Sequence, residues 1–273
     1  MSDPTRPPGP RIIAIANQKG GVGKTTTTIN LAAALVEQGK RVLIVDLDPQ
    51  GNASTGLGIG IEARKFSAYD LILEEAPLTT VIQQSGIRNL WICPATSDLS
   101  SADMDLVSNE KRSFLLHDAL RQIDIDAYSL DYVLIDCPPS LSQLTINAMV
   151  AAHSVLVPLQ AEFFALEGLS QLMLTVREVR QAANADLRIE GVVLTMYDVR
   201  NNLSQQVEAD ARGNLGDLVF RTMIPRNVRV SEAPSYAMPV LHYDSSSRGA
   251  EAYRALAREL VARHQSSRKG SGL

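Results

Sequence analysis

Runs of consecutive apolar residues alternate along the chain with segments whose apolar residues recur every three to four positions. The runs indicate strands buried on both faces of a sheet, and the periodic segments indicate helices packed against it. Strands are predicted at residues 11–17, 41–46, 89–93, 131–136, 153–158, 188–195 and 219–224. Helices are predicted at residues 24–38, 66–74, 110–123, 141–150, 166–183, 201–213, 228–235 and 247–264. This order predicts an α/β fold with a doubly wound, mostly parallel sheet and helices on both faces.

The alternation continues without an internal linker, so we expect one domain over residues 11–264. The Pro-rich residues 1–10 predict a disordered arm, and the composition of residues 265–273 predicts a flexible tail. No apolar run approaches twenty residues, so the sequence predicts no transmembrane helix. Cys93 and Cys137 form no C-x-x-C pattern, which favours a reducing cytoplasm over a disulfide framework or a thiolate metal site.

Charge is spread unevenly along the chain. The formal net charge is −4, which argues against a wholly basic nucleic-acid binder. Residues 171–273 nevertheless carry 14 Lys and Arg against 11 Asp and Glu, whereas residues 1–170 carry 12 against 19. The second half therefore has the composition for a local basic face.

A glycine-rich segment joins the first predicted strand to the first predicted helix. Strand, glycine loop, Lys-Thr and helix form the pattern of a phosphate-binding loop, because glycines let backbone N–H groups turn toward an anion at a helix N-terminus. The residues predicted to bind nucleotide here are Gly20, Gly21, Val22, Gly23, Lys24, Thr25 and Thr26. Lys24 would contact the β- and γ-phosphates, and the hydroxyl of Thr25 would hold Mg²⁺. We therefore expect a P-loop NTPase fold.

Two acidic segments follow later strands. Asp46 ends strand 41–46, Asp48 follows two residues later, and both precede a glycine-rich stretch that predicts a mobile loop sensing the γ-phosphate. Asp136 ends strand 131–136, and an apolar strand ending in Asp is the Walker B pattern, whose carboxylate holds the Mg²⁺ shell. The predicted metal site is therefore Thr25, Asp48 and Asp136. The four histidines have no paired Ser or Cys motif and are expected to be structural or exposed.

The first loop also departs from the usual spacing. Gln18 stands where the first glycine is normally found, and a second lysine, Lys19, precedes two adjacent glycines. This K-G-G-x-G-K-T-T form resembles the deviant Walker A loop of the ParA/MinD superfamily. The segments V-D-x-D-P-Q-G-N and D-C-P-P-S resemble its two switches. With further likeness at residues 160–169, 194–198 and 224–235, the resemblance covers roughly residues 11–264 and is strongest to the chromosome-partitioning ParA (Soj) branch.

That resemblance implies an ATP-dependent homodimer. Lys19 would reach the partner's nucleotide and Asp48 would position the attacking water, so the predicted catalytic residues are Lys19, Lys24 and Asp48. Met196, Pro225 and Asn227 would flank adenine. Residue chemistry alone does not select adenine over guanine, although the N/T-K-x-D guanine motif is absent.

The resemblance further implies a DNA-bound state. Arg200, Arg226 and Arg229 would contact phosphates of double-stranded DNA without reading sequence. Arg221, Arg248 and Arg254 are weaker candidates. The implied function is a partitioning ATPase that binds nonspecific DNA as an ATP dimer, is stimulated by a ParB-like protein, and is cytoplasmic and nucleoid-associated.

Two alternatives share the same scaffold. A MinD-like membrane-surface ATPase would need a terminal amphipathic helix. Here residues 249–264 show a modest apolar face without Phe or Trp, so no stable membrane association is expected. A metabolic enzyme, such as a nitrogenase-reductase-like electron donor or a ligase, would need cluster cysteines or a substrate-specific residue set. Cys93 and Cys137 do not match the cluster pattern.

Overall fold

The computed structural model describes residues 9–107, 109, 111–121, 128–162 and 165–270. Within these residues, seven strands form one sheet in the order β3-β4-β2-β5-β1-β6-β7. The strands are β1 (Arg11–Ile15), β2 (Val42–Asp46), β3 (Gln83–Gln84), β4 (Leu90–Cys93), β5 (Tyr132–Asp136), β6 (Ser154–Gln160) and β7 (Arg188–Thr195). The β3–β4 pair is antiparallel and the other described pairs are parallel.

Helices cover both faces of this sheet. They are α1 (Lys24–Glu37), α2 (Asn52–Gly56), α3 (Ala68–Leu73), α4 (Leu78–Val81), α5 (Ala102–Asp105), α6 (Leu115–Arg121), α7 (Gln143–Ala151), α8 (Ala165–Ala182), α9 (Asn202–Leu215), α10 (Val228–Glu232), α11 (Val240–Tyr243) and α12 (Arg248–Gly270). The predicted doubly wound α/β fold is therefore confirmed.

The core has two layers because successive strand residues point to opposite faces of the sheet. Ile13 and Ile15 of β1 pack on one face with α1 and α12, while Ala14 belongs to the core on the other face. β2 is buried at every position, as an aliphatic strand between two helical layers should be. This arrangement leaves the ends of the strands, rather than their faces, to form sites.

The strand predicted at 219–224 is wrong. Val219 makes a single bridge to Val192, and the N–H groups of Phe220 and Ile224 still donate to β7 carbonyls. Between them, however, the N–H groups of Arg221 and Thr222 donate to the carboxylate of Glu259, at 2.8 and 2.9 Å. A side chain from α12 thus takes hydrogen bonds that a continuous strand would need.

Several elements differ from prediction because they are short or end without a sequence signal. β3, α2, α4, α5 and α11 span two to five residues each and were not predicted. The helix predicted at 110–123 is described at Leu115–Arg121, with residues 110, 122 and 123 outside the described part.

The two ends of the chain lie partly outside the described residues. The expected disordered arm does so except for residues 9 and 10. The last helix continues to Gly270, past its predicted end, so residues 265–270 of the expected tail are helical, and residues 271–273 lie outside the described part.

The apolar face of α12 is part of the core. Tyr253, Leu256 and Leu260 are at most 1 % exposed and pack with the sheet, and Val261 packs against the same cluster. This face is therefore not free to enter a membrane surface. Among the residues described, no helix has both the length and the apolar character needed to cross a bilayer.

Candidate nucleotide-binding site

The predicted phosphate and metal loops meet at one edge of the sheet. β1, β5 and β2 are neighbours, and their register places Ile15 beside Asp136 and Asp136 beside Asp46. Because these strands are parallel, the loops that follow them emerge side by side at their carboxyl ends. The glycine loop, Asp48 and Asp136 therefore belong to one site.

The glycine loop leaves the N-terminus of α1 available to an anion. Gly21 and Gly23 adopt left-handed backbone conformations, with φ of 74° and 87°, which side chains with a Cβ rarely adopt. Gly23 is the N-cap of α1 and supplies no side-chain acceptor to the first helical amides. Those N–H groups and the positive end of the helix dipole suit a phosphate.

Lys24 is held inside this loop. It is 7 % exposed, and its Nζ donates to the carbonyl of Lys19 at 3.3 Å. Burial lowers the pKa of Lys24, and Asp136, Cys137 and Asp48 oppose that shift. A buried ammonium with one weak backbone acceptor has unused capacity to bind an anionic ligand.

Asp136 has an unused oxygen. Its side chain is fully buried, and Oδ1 accepts a hydrogen bond from Thr28 Oγ1 at 3.0 Å. Oδ2 has no hydrogen-bond partner among the described residues. Burial and then the nearby Asp46 raise the pKa of Asp136, while Thr25 and Thr28 oppose the rise. Leaving a buried carboxylate oxygen unpaired is costly unless a ligand satisfies it.

The donor set at this edge fits magnesium. The predicted ligands are hydroxyl and carboxylate oxygens, which Mg²⁺ prefers, and Mg²⁺ is commonly held by one or two carboxylates together with nucleotide phosphates and water. In the described part of the chain, no group of three His, Cys, Asp or Glu forms a metal cage.

Asp46 and Asp48 differ although they lie two residues apart. Asp46 is fully hydrogen-bonded: Oδ1 accepts from Asp48 N at 3.2 Å, and Oδ2 accepts from Ser54 N at 2.9 Å and Ser54 Oγ at 2.7 Å. Asp48 Oδ1 accepts from Gln50 N at 3.0 Å. Asp46 therefore anchors the following segment, whereas Asp48, which is 8 % exposed, retains an oxygen, Oδ2, that accepts no hydrogen bond from the described residues.

The segment after Asp48, whose glycines predict a mobile loop, contains a short helix. α2 begins after Gly51, which has a φ of 59°. The guanidinium of Arg64 donates to Thr55 Oγ1 at 2.7 Å and to the carbonyls of Ile59 and Ala95. A 9 % exposed arginine thus ties this segment to the loop after β4. Nothing in the local sequence signals that long-range contact.

Lys19 contacts its own chain. Its Nζ lies 3.0 Å from Glu162 Oε2, and both side chains are nearly half exposed. Its backbone N–H donates to Asn17 Oδ1 at 3.1 Å, and Asn17 Nδ2 donates to the carbonyl of Pro158 at 2.8 Å. Asn17 was not predicted, and it fixes the start of the loop from β6. The role of Lys19 in a partner's site stays a prediction.

A cavity of about 130 Å³ adjoins the glycine loop. Met196, Pro225 and Asn227 all line it, together with Gly23 and Thr26. The structure thus brings the three predicted adenine residues to the phosphate loop. Arg226, which was predicted to bind DNA, also lines the cavity. Further lining residues that sequence reasoning did not assign are Thr195, Ile224, Val230, Ser231 and Tyr253.

Two hydrogen bonds made by lining residues shape this cavity. Thr195 Oγ1 donates to the carbonyl of Val22 at 2.8 Å, so the end of β7 supports the glycine loop. Asn227 Oδ1 caps α10 by accepting from Arg229 N at 2.9 Å, which leaves its amide nitrogen to meet a base. Spacing in the sequence does not reveal the first contact, because Thr195 lies 173 positions from Val22.

The predicted DNA-binding arginines lie in and after the loop that follows β7. Arg200 is 86 % exposed and is paired with Asp198, while Arg229 is about half exposed and contacts Glu232 and Asp244. Hydrogen bonds from Arg200 lower the pKa of Asp198 to about 2. Arg226 lines the cavity beside the glycine loop and also a neighbouring cavity.

Comparison with known proteins agrees with this geometry. The family described as AAA domain matches residues 10–189. The chromosome partitioning protein ParA of Caulobacter vibrioides is 55 % identical over 255 residues, covering 93 % of this chain and 95 % of that protein. The sporulation initiation inhibitor protein Soj of Bacillus subtilis is 51 % identical over 252 residues, covering 92 % and 98 %.

A solved structure, cobyrinic acid a,c-diamide synthase from Mycobacterium smegmatis with a bound ATP analog and magnesium, is also similar. It is 37 % identical with a TM-score of 0.82, covering 94 % of this chain and 97 % of that one. The fold and site define a P-loop ATPase that uses ATP and Mg²⁺. The chain belongs to the ParA/MinD superfamily, and it is a ParA-like partitioning ATPase.

Proposed function

We propose that this chain pairs with a second copy when ATP is bound, holds nonspecific DNA as that dimer, and hydrolyses ATP in response to a ParB-like protein. It would thereby segregate chromosomal or plasmid DNA from the cytoplasm while associated with the nucleoid. Its relatives' names support the partitioning role. The observation that carries the nucleotide chemistry is the buried Oδ2 of Asp136, which has no hydrogen-bond partner among the described residues and lies in a site shared with buried Lys24.

Each site residue has a role that follows from its contacts. The N–H groups of residues 20–26 would bind phosphate oxygens at the uncapped start of α1, and Lys24 would neutralise charge that develops on them. Thr25 and Asp136 would hold Mg²⁺, which supplies charge neutralisation at the phosphates when it is bound. Asp48 would contribute to the metal shell and orient the attacking water.

Lys19 would complete the site of the second copy. Its present contact with Glu162 is between side chains that are each 40 % exposed or more, and such exposed pairs are worth about 0–1 kcal/mol. Exchange of this carboxylate for a partner's bound phosphate is therefore energetically accessible. A cation supplied in trans makes hydrolysis depend on dimer formation, because an isolated chain lacks that charge at its own phosphates.

Asp48→Ala tests the dimer and the hydrolytic role together. The variant should bind ATP and Mg²⁺, turn over at least about 100-fold more slowly because the attacking water is no longer oriented, and accumulate as a dimer. Light scattering after size exclusion, with and without ATP, measures the dimer, and phosphate release measures turnover. Asp186→Ala, at an exposed aspartate, is the control. A variant that remains monomeric at saturating ATP would refute ATP-dependent pairing.

Arg200→Glu tests DNA binding separately. The variant should lose retention of nonspecific double-stranded DNA while it still dimerises with ATP, because Arg200 lies outside the nucleotide cavity. Wild-type binding should weaken steeply with salt, with a slope that falls by about one for each phosphate contact removed. Arg177→Glu, at an exposed arginine of α8, is the charge-matched control. Equal DNA retention by Arg200→Glu and wild type would exclude the assigned face.

The membrane-surface alternative has no structural support in the final helix, whose apolar side is buried. Pelleting with anionic vesicles should therefore leave the ATP-bound protein in the supernatant.

A further inference from the structure

Two of the arginines assigned to DNA binding, Arg200 and Arg229, are paired with carboxylates of their own chain. Arg200 forms a two-pronged contact with Asp198, with Nε 3.1 Å from Oδ1 and Nη2 3.0 Å from Oδ2. The backbone N–H of Arg200 also donates to Asp198 Oδ1 at 3.0 Å. A planar guanidinium binds a carboxylate and a phosphate through the same fork of N–H groups. Asp198 therefore occupies the surface of Arg200 that a DNA phosphate would use.

Arg229 is engaged in the same way by two carboxylates. Its Nη1 donates to Glu232 Oε2 at 2.9 Å, and its Nε lies 3.3 Å from Asp244 Oδ2. Glu232 is itself oriented by Tyr243, whose hydroxyl donates to Oε2 at 3.2 Å. Arg226 differs, since in the described part of the chain its side chain has no carboxylate within salt-bridge distance. Two of the three arginines are thus paired with three carboxylates, and the formal charges of these six side chains sum to zero.

We propose that Asp198, Glu232 and Asp244 compete with DNA phosphates for Arg200 and Arg229. This competition would weaken DNA binding so far that a single protein chain is not retained on DNA. This inference rests on the proposed DNA binding. A duplex phosphate must displace a carboxylate at each of these two arginines before it gains a contact. A dimer presents two copies of the face to one duplex, so it can recover that cost where a monomer cannot.

The competition has a signature in the salt dependence. A phosphate contact normally releases counterions from DNA, which makes affinity fall steeply with salt. If Arg200 must leave Asp198, the freed carboxylate attracts a cation, and the net release of ions is smaller. Removing the carboxylate's charge should therefore raise affinity and also steepen the slope of log affinity against log salt by up to about one per arginine.

Asp198→Asn and Glu232→Gln test this with little change of shape. An asparagine at position 198 keeps an oxygen that can accept from Arg200 N, so the turn can be retained. Each variant should bind random-sequence double-stranded DNA about two- to five-fold more tightly at low salt, as expected for an exposed ion pair. The measurements are titrations of the full chain with a non-hydrolysable ATP analogue at several salt concentrations. Asp217→Asn, at an exposed aspartate in a 3-10 turn beside β7, makes the same charge change elsewhere.

Elution from immobilised heparin measures how tightly the same arginine face binds a polyanion other than DNA. The inference is supported if Asp198→Asn and Glu232→Gln bind DNA more tightly, show a steeper salt slope and elute later from heparin, while Asp217→Asn does not. Unchanged or weaker binding in both variants would overturn it, and so would an equal gain in Asp217→Asn. If wild type fails to retain DNA, the proposed function fails, while heparin elution still decides whether the carboxylates compete.

Discussion

Two buried polar clusters lie at opposite ends of the strands, and they differ in how fully their groups are paired. At the amino ends, His264 Nε2 lies 2.8 Å from Glu190 Oε1, Ser154 Oγ donates to Glu190 Oε2 at 2.5 Å, and Tyr132 Oη lies 3.1 Å from His264 Nδ1. These side chains are hydrogen-bonded to one another. Arg11 Nε, in the same cluster, is 4.0 Å from Glu190 Oε2 and makes no hydrogen bond to the described residues.

At the carboxyl ends the pairing is incomplete. Asp136 Oδ2 has no partner within the described residues, α1 begins without a side-chain cap, and Lys24 has one backbone acceptor at 3.3 Å. Both clusters contain buried ionisable groups, so burial alone does not distinguish them. Each cluster also has one buried side-chain atom without a hydrogen bond to the described residues. What indicates a ligand site at the carboxyl ends is the combination of the unpaired Asp136 oxygen, the uncapped start of α1 and the weakly paired Lys24.

The largest expected effect is from Lys24→Ala. Loss of the buried ammonium removes the charge that faces the phosphates, so ATP hydrolysis should fall by a factor on the order of 10²–10³ or more, and nucleotide binding should be lost. Binding of a fluorescent ATP analogue and phosphate release measure these effects. Lys65→Ala, at an exposed lysine, should behave as wild type. Tight ATP binding by Lys24→Ala would show that the uncapped helix suffices by itself.

A matched pair of amide substitutions separates the two clusters. Glu190→Gln should lower the free energy of unfolding by about 1–3 kcal/mol, because it disrupts a paired buried carboxylate, without changing ATP affinity. Asp136→Asn should leave the unfolding free energy of the nucleotide-free protein unchanged or raise it, because Oδ2 makes no hydrogen bond to the described residues that the substitution could break, and the amide has no charge to bury. It should abolish the added stability that ATP and Mg²⁺ confer.

Denaturant unfolding of both variants, with and without ATP and Mg²⁺, is the measurement. The distinction between the clusters would be refuted if Asp136→Asn were the more destabilised variant in the absence of nucleotide.

Thr195→Val should have a smaller effect. It removes the hydroxyl that donates to the Val22 carbonyl and leaves that carbonyl unpaired, so ATP affinity should fall about five-fold, as for a lost hydrogen bond worth about 1 kcal/mol. Calorimetric titration with a non-hydrolysable analogue measures this. Thr195→Ser keeps the hydroxyl and should retain most of the affinity. Similar losses in both variants would attribute the effect to the methyl group instead.

The smallest expected effect is on the pH dependence of stability. Burial by itself would raise the pKa of Glu190, but hydrogen bonds from His264 and Ser154 and nearby positive charge lower it below its ordinary 4.5. Because the folded value is the lower one, the stabilisation is fully present above pH 4.5 and is lost as pH falls through the folded pKa. Glu190→Gln should therefore flatten the stability curve below pH 4.5. An equally steep curve in that variant would assign the dependence to other groups.

Local sequence predicts the frame of this protein well. The runs around β1, β2 and β5 indicate buried parallel strands, and the glycines before Lys24 indicate a phosphate loop, because each signal depends on neighbouring residues. The same reasoning places Asp48 and Asp136 at strand ends. Parallel strands then bring those positions to one edge.

What the sequence does not predict depends on distant contacts. Glu259 interrupts the expected strand at 219–224, and Arg64 fixes the segment after Asp48. The carboxylates beside Arg200 and Arg229 are near in sequence, yet charge counting gives no sign that they form directed pairs. Asp46 and Asp136 look equivalent as strand-final aspartates, and their contacts alone separate an anchor from a candidate metal ligand.

Residues at the end of β7 and just after it make several of the contacts described above within a very short stretch of backbone. Thr195 supports the glycine loop, Met196 lines the cavity beside it, and Asp198 grips Arg200 only two positions later. Under the proposed function, only a few residues of backbone would therefore separate the nucleotide site from the DNA-binding arginine, rather than the width of the fold.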